Sequence, residues 1–259
     1  MIPKIIHYTG PTDRSKWHPV WDNCLKSWDK HFPRPEYTHI CWTDEQLDKL
    51  VLEEYPQYAD LYNAFPFHIM KIDFAEYCIM HKFGGIYHDL DMYCYKNFYE
   101  DIKEFPYAIL ESRMNDEFIQ NCMFASQPRS EYWIFLMDEI KRYFYLYPDT
   151  PTLETNKRLD ASFYIKDTTA CYAMTRASLR YNKPLFILPK GVYNPPCTTY
   201  SEDHKTKHML TNTWGKDFID ANIANMTTWE PGKFKDLQDW FLQGYKNRGD
   251  LDKDAVEGL

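Results

Sequence analysis

The stretch Ile72-Asp73-Phe74-Ala75-Glu76-Tyr77, running on to Phe83-Gly84-Gly85-Ile86-Tyr87-His88-Asp89-Leu90-Asp91, decides how this chain folds. Residues 67–83 place Ile69, Ile72, Ala75, Ile79 and Phe83 on roughly one face, which predicts a helix with one buried side. Gly84-Gly85 closes that run, because a helix end turns most easily through a residue without a Cβ. Residues 86–93 then read as a strand whose side chains alternate, so Asp89 and Asp91 are expected to project to the same face. Two carboxylates so placed repel each other unless a cation lies between them. Such a pair can hold a hard divalent ion, Mg²⁺ or Mn²⁺, through oxygen, and leave positions for water and for the phosphate oxygens of a nucleotide. In outline this is a diphosphate site.

Working outward, residues 3–8 predict a short buried strand stopped at Thr9-Gly10-Pro11. Residues 18–31 carry Val20, Trp21, Cys24, Leu25 and Trp28 at helical spacing and end at Phe32-Pro33-Arg34-Pro35. Residues 37–42 predict a second strand. Thr43 follows as a helix cap, with Gln46 at the reciprocal capping-box position and Leu47, Leu50 and Val51 as the buried stripe. Downstream, 107–111 and 119–125 read as strands and 130–147 as a long aromatic helix. Residues 167–181 read as a helix capped by Asp167-Thr168-Thr169, and 185–188 as a short strand. Residues 189–234 read as loop-rich and 235–247 as a last helix. Alternating strands and helices predict an α/β protein. No repeat or linker interrupts the pattern, so one domain is expected over 1–248: a nucleotide-binding half of about 1–100, an acceptor or closing half of about 101–248, and an acidic tail at 249–259.

Composition narrows the classes. The 259 residues are 44% hydrophobic and 26% charged, a globular balance. A net charge of −8 with no dense Lys/Arg run argues against a nucleic-acid partner. No apolar stretch approaches the ~20 residues that span a bilayer, and the opening Met1 to His7 is too short and mixed for a secretory leader. Seven cysteines without a Cys-x-x-Cys pair encode neither a zinc knuckle nor a disulfide framework. A soluble protein of the reducing cytoplasm, without a transmembrane segment, is the expectation. The 17% aromatic content suits a sugar-binding surface as well as a core. Phosphate-binding Gly-x-x-x-x-Gly-Lys-Ser/Thr, esterase Gly-x-Ser-x-Gly and zinc-protease His-Glu-x-x-His motifs are all absent from the sequence.

Several segments together resemble the family 32 glycosyltransferases, the Asp-x-Asp sugar-transfer enzymes related to yeast initiating mannosyltransferases and to the catalytic domains of large clostridial glucosylating toxins. Ile2-Pro3-Lys4-Ile5-Ile6-His7 is similar to that family's first strand, and Ser27-Trp28 and Trp42-Thr43-Asp44 to its next landmarks. Ile72 to Tyr77 and Phe83 to Asp91 resemble its sugar-binding core. Asn121 to Ser126, Thr168-Thr169, His208 and Thr213-Trp214 resemble later segments, so the likeness spans about residues 2–215. It implies an α/β fold of the glycosyltransferase A type, a Rossmann-like mixed sheet flanked by helices.

The resemblance also implies roles. Asp91 would bind Mn²⁺ or Mg²⁺ directly, Asp89 would bond the ribose or reach the metal through water, and His208 is the candidate third ligand. Trp214 would hydrogen-bond a phosphate oxygen through its indole N–H. Asp73 would bond the donor sugar, making Asp73, Asp89 and Asp91 the catalytic set. Donor contacts are expected from Ile6, His7, Tyr8, Trp42, Asp73, Gly85, Tyr87, Asp89, Asn121 and Trp214, with Asp167 a further candidate. Three residues after Asp73 the family has an Arg that steadies sugar and phosphate, and this chain has Glu76. The spacing puts Asp73 and Glu76 on one helix face, with Lys71 or Arg176 as candidate replacement cations. The implied reaction is metal-dependent, retaining transfer of a hexose from a nucleotide sugar, a UDP-sugar before GDP-mannose, to a glycan or glycoconjugate hydroxyl. The alternatives are an inactive homologue or sugar-binding module and, further off, a phosphohydrolase.

Overall fold

The computed structural model describes residues 1–113, 119–146, 161–195 and 201–209. Trp214 and the helix and tail expected after residue 234 lie outside them. In chain order the elements are β1 (Ile5–Thr9), α1 (Pro19–His31), β2 (Thr38–Trp42), α2 (Asp44–Glu54), α3 (Ala59–Ala64), α4 (His68–Phe83), β3 (Gly85–His88), β4 (Met92–Cys94) and α5 (Tyr99–Ile102). They continue as β5 (Tyr107–Glu111), β6 (Ile119–Ser126), α6 (Glu131–Leu146), α7 (Ala161–Thr168), α8 (Cys171–Arg180), β7 (Ile187–Leu188), α9 (Lys190–Tyr193) and β8 (Thr206–His208).

Six strands form one sheet in the order β2-β1-β3-β6-β5-β7. β1 runs parallel to both β2 and β3, β7 runs parallel to β5, and β6 alone opposes its neighbours β3 and β5. Helices cover both faces, and the alternation along the strands shows it. Tyr87, Ile109 and Phe124 join Phe74, Tyr77, Trp133 and Leu136 on one side. Ile86, Ala108, Leu110, Met123 and Ala125 join Trp28, Phe32, Phe98 and Ile102 on the other. A strand buried on both faces has to read as a near-continuous apolar run, which is why β5 and the first half of β3 do. The α/β architecture expected from the sequence, a mixed sheet flanked by helices, is the observed one. Among the described residues no helix is long and apolar enough to cross a membrane.

The capping box forms as expected: the Gln46 N–H donates to Thr43 Oγ1 at 3.3 Å and the Thr43 N–H donates to Gln46 Oε1 at 3.0 Å. Replacing Thr43 with Ala removes one of these bonds and is expected to lower stability by about 1 kcal/mol in urea denaturation. An unchanged midpoint would show that the box adds nothing to α2.

Four local expectations change. The strand expected over 86–93 is broken, because the Met92 N–H donates to Asp89 O at 3.0 Å and closes a turn between β3 and β4. The helix expected over 167–181 is two helices. Asp167 and Thr168 end α7, and α8 starts after Ala170 with no side-chain cap, because the Asp167 carboxylate is taken by Arg176 Nη1 at 2.9 Å and by the Tyr143 hydroxyl. The strand expected over 185–188 shortens to Ile187–Leu188, and part of the loop-rich region is the ordered pair α9 and β8.

Candidate metal and donor site

The turn between β3 and β4 carries the acidic pair. Its entry is fixed by the Asp89 N–H donating to Cys122 O at 2.9 Å. The preceding His88 lies flat on Trp28, with ring centroids 4.0 Å apart, and donates from Nδ1 to Asp89 O at 2.9 Å. Burial pushes His88 down to about 3, so the ring is neutral and the turn rests on an uncharged support. The exit is fixed by a separate two-stranded sheet, in which β4 pairs antiparallel with β8 and Met92 lies opposite His208. The Met209 N–H donates to Asp91 O at 2.9 Å.

That pairing brings a residue from far along the chain against the turn. His208 Nε2 lies 3.1 Å from Asp91 Oδ1, its Nδ1 faces Gln120 Nε2 at 3.0 Å, and its carbonyl accepts from Arg113 Nη1 at 3.0 Å. Gln120 is itself fixed, since its Oε1 accepts from Asn194 Nδ2 at 2.6 Å. One ligand atom from each of Asp89, Asp91 and His208 lies within 4.8 Å of the other two. Two carboxylate oxygens and an imidazole nitrogen suit Mn²⁺, whereas Mg²⁺ prefers an all-oxygen shell. Burial raises the Asp89 carboxyl well above its usual range and the Asp91 charge raises it further, a penalty that a divalent cation would reverse.

Beside this turn, α4 presents two more acids. Asp73 accepts from Thr169 Oγ1 at 2.7 Å through Oδ2 and from Asn121 Nδ2 at 3.2 Å through Oδ1. Burial pushes its pKa up to about 7, with the Thr169 hydroxyl pulling the other way. One helical turn on, Glu76 Oε1 accepts or shares a proton with the Tyr87 hydroxyl at 2.6 Å. Its Oε2 is buried with no hydrogen-bond partner.

Residues 19–109, which hold Asp73, Glu76 and the Asp89–Asp91 turn, match the family model described as the glycosyltransferase sugar-binding region containing DXD motif. This stretch is similar to the sugar-binding region of glycosyltransferases. Inositol phosphoceramide mannosyltransferase 3 of Schizosaccharomyces pombe is 38% identical over 95 residues, covering 36% of this chain and 25% of the relative. A mannosyl phosphorylinositol ceramide synthase of Saccharomyces cerevisiae, SUR1, is 32% identical over 145 residues, covering 55% of this chain and 36% of the relative. The chain therefore spans about a quarter to a third of the length of these curated relatives. Among solved structures, a glycosyltransferase involved in glycosylation of the major capsid of PBCV-1 superposes with a TM-score of 0.44 at 12% identity, over 86% of this chain and 98% of that one.

Around the sugar-binding region the expected donor residues divide. Asp89, Asp91 and His208 converge, Asn121 donates to Asp73, and the Tyr87 hydroxyl reaches Asp89 at 3.1 Å. Ile6 and His7 are wholly buried instead. His7 donates from Nε2 to Gly84 O at 2.8 Å and accepts at Nδ1 from Trp42 Nε1 at 3.1 Å, and burial lowers its pKa to about 4. Both ring nitrogens are thus occupied in fastening the glycine turn to β1, with Trp42 as the second anchor. Tyr8 is buried against His88, and a Cβ on Gly85 would lie 2.5 Å from Ile5 O, so that glycine is needed for strand packing. Neither proposed cation reaches Glu76. The Lys71 ammonium sits over the Tyr62 ring at 5.1 Å, and Arg176 is closed on Asp167 and stacked on Tyr143 at 3.6 Å. Sequence reading missed Thr9, Gln120 and Arg113. Gln120 was one strand position from the noticed Asn121, but nothing local signals that its amide meets His208.

The Asp73 shift predicts a pH effect. A carboxyl at about 7 in the folded chain and about 3.9 unfolded binds a proton more tightly when folded, so it stabilises below about pH 4 and that contribution is lost as pH rises through 7. Asp73→Asn carries no such charge. The stability of the variant relative to the unsubstituted protein is therefore expected to rise between pH 4 and 7.5 in metal-free urea titrations. A pH-independent difference would contradict the assignment of a neutral Asp73 at acid pH.

Proposed function

We propose that this chain is a metal-dependent glycosyltransferase that moves a hexose from a nucleotide sugar to the hydroxyl of a glycoconjugate, with mannose as the sugar. The observation that carries the reading is the convergence of Asp89, Asp91 and His208 on a turn inside a matched sugar-binding region. Asp91 and His208 would hold a divalent cation, with Asp89 shared between the cation and the nucleotide. The bound cation would offset the negative charge that grows on the leaving diphosphate.

The remaining work falls to side chains. Asp73, fixed by Thr169 and Asn121, presents a carboxyl that near neutral pH both accepts and donates, which suits bonding vicinal sugar hydroxyls. No residue is assigned as a covalent nucleophile, and retention by same-face attack is the stereochemical reading. The uridine donors that the family resemblance put first give way in this reading to mannosyl donors, because the relatives named above carry mannosyl-transfer names. Their names also make an inositol phosphoceramide the first acceptor to try.

The test offers GDP-mannose, UDP-glucose and UDP-galactose, each with Mn²⁺, to an inositol phosphoceramide and to free sugars. Mannosylated lipid is the expected product. Transfer from a UDP-sugar would move the donor assignment, and transfer from none would favour the sugar-binding module, whose supporting observation is Glu76 in place of the family Arg.

A further inference from the structure

Arg113 stands two residues past the end of β5 and reaches the strand that carries His208. Its Nη1 donates to His208 O at 3.0 Å and to Pro195 O at 3.3 Å. Nη2, the other arm of the same guanidinium, is buried and has no hydrogen-bond partner. A guanidinium stays charged throughout the pH range of proteins, so this is a permanent cation with an unused N–H arm. Leaving a charged donor dry and unbonded is costly, and an anion is the acceptor that would satisfy it.

Other arginines are held differently. Arg14, Arg34, Arg142, Arg176 and Arg180 each have a carboxylate oxygen within 3.6 Å. Arg113 is held by two carbonyls, and among the described residues no carboxylate pairs with it. Carbonyls aim a guanidinium without neutralising its charge.

Its place beside the acidic turn is equally particular. His208, whose carbonyl holds one arm, has its ring 3.1 Å from Asp91. Burial raises the Cys122 thiol on β6, Asp89 and Asp91 raise it further, and Arg113 acts the other way. The guanidinium and both acids of the turn therefore lie within electrostatic reach of one side chain. Arg113 as a residue is only half-buried, as Asp89 is.

We propose that Arg113 is a phosphate-binding residue: its unused Nη2 takes an oxygen of the phosphate group that a substrate brings to the acidic turn, while Nη1 keeps the guanidinium aimed by holding the carbonyls of Pro195 and His208. The inference rests on the reading of that turn as the donor site. A planar fork with one arm fixed and one arm open suits a phosphate better than a lysine ammonium would. Bound there, the phosphate meets a second cation beside the metal ion, which offsets charge that the metal leaves. The donor's diphosphate and the phosphodiester of a phosphoinositol acceptor present the same oxygens, and the experiment separates them.

Two variants of the full chain test it. Arg113→Met removes the charge, and Arg113→Lys keeps the charge but loses the fork. Each is titrated calorimetrically with Mn²⁺ alone and then, in saturating Mn²⁺, with pyrophosphate, with GDP and with inositol 1-phosphate. Mn²⁺ affinity is expected to hold or rise in Arg113→Met, because a like charge near the ion is gone. Phosphate affinity is expected to fall about ten- to a hundredfold in Arg113→Met, the range for a lost hydrogen bond to a charged group, and less in Arg113→Lys. Loss confined to pyrophosphate and GDP assigns Nη2 to the donor, and loss confined to inositol 1-phosphate assigns it to the acceptor. Arg113→Lys carries the comparison if the Met variant does not fold.

The proposal is overturned if Arg113→Met leaves all three phosphate affinities unchanged. It is overturned equally if that variant weakens Mn²⁺ as much as phosphate, the mark of a residue that only braces β8. Pyrophosphate binding that needs Arg113, in a protein that binds neither GDP nor inositol 1-phosphate, would overturn the donor reading and leave the role of Arg113 standing. An unsubstituted protein that binds none of the three would overturn both.

Discussion

Asp91→Asn is expected to reduce metal-dependent donor cleavage by about 10²–10³-fold, the loss seen when one preorganised electrostatic group is removed from a reacting centre. Asp91 is the member of the pair in contact with His208, at 3.1 Å, and an amide in its place is a poor ligand for a hard cation. The fold should survive. The turn is fixed through backbone groups, with Asp89 N–H on Cys122 O and Met209 N–H on Asp91 O, and neither bond uses the Asp91 side chain. Asn is isosteric, opens no cavity, and keeps an oxygen for the His208 N–H. Melting should therefore shift by only a few degrees, equivalent to about 1 kcal/mol for a chain of this size. Turnover and its chelator sensitivity, measured beside thermal melting, check both halves. Unchanged turnover would remove Asp91 from the site, and an unfolded variant would mean that the carboxylate is structural.

The second large effect is expected at the glycine turn. Gly84 has φ +63°, and a Cβ there would lie 2.5 Å from Ser126 O and 2.7 Å from Pro128 N. Gly85 has φ +97°, with its Cβ 2.5 Å from Ile5 O and 3.0 Å from His7 Nε2. The obstructing atoms are mostly backbone of the strands and turn packed around β3, so relief requires β3 to move away from β1 and β6. Gly84→Ala and Gly85→Ala are each expected to cost about 3 kcal/mol or more, combining left-handed strain with a clash that cannot relax locally. Gly10→Ala is the control. Its Cβ would clash with the tip of the Leu90 side chain at 2.5 Å, a flexible group that can turn aside, and would otherwise make ordinary contact with Trp17 at 3.7 Å. Guanidinium denaturation of the three variants checks the order, and a loss below about 1 kcal/mol at Gly84 or Gly85 would contradict the packing argument.

These glycines show what was legible in the sequence. A helix stripe, a Gly-Gly stop and an apolar strand are local signals, so α4, the turn and β3 could be placed from residues 67–88 alone. The capping box at Thr43 was readable for the same reason. The Asp-x-Asp pair was found for a partly mistaken reason. Its side chains were expected to share a face by strand alternation, whereas a turn closed by the Met92 N–H brings them together. Asp167-Thr168-Thr169 has the composition of a cap, but long-range partners claim it: Arg176 and Tyr143 hold Asp167, and Asp73 holds Thr169. His208 could be singled out only by resemblance, since its place beside Asp91 depends on the pairing of β8 with β4 across more than a hundred residues.

If the acidic turn and His208 form a working metal site for a nucleotide sugar, nucleoside diphosphate is released from one member of a panel of nucleotide sugars without acceptor, as measured in Mn²⁺, in Mg²⁺ and in chelator. Slow hydrolysis of one donor, GDP-mannose, is expected, fastest with Mn²⁺, stopped by chelation and lost in Asp91→Asn. Hydrolysis that persists in chelator, or that Asp91→Asn leaves intact, would contradict that reading.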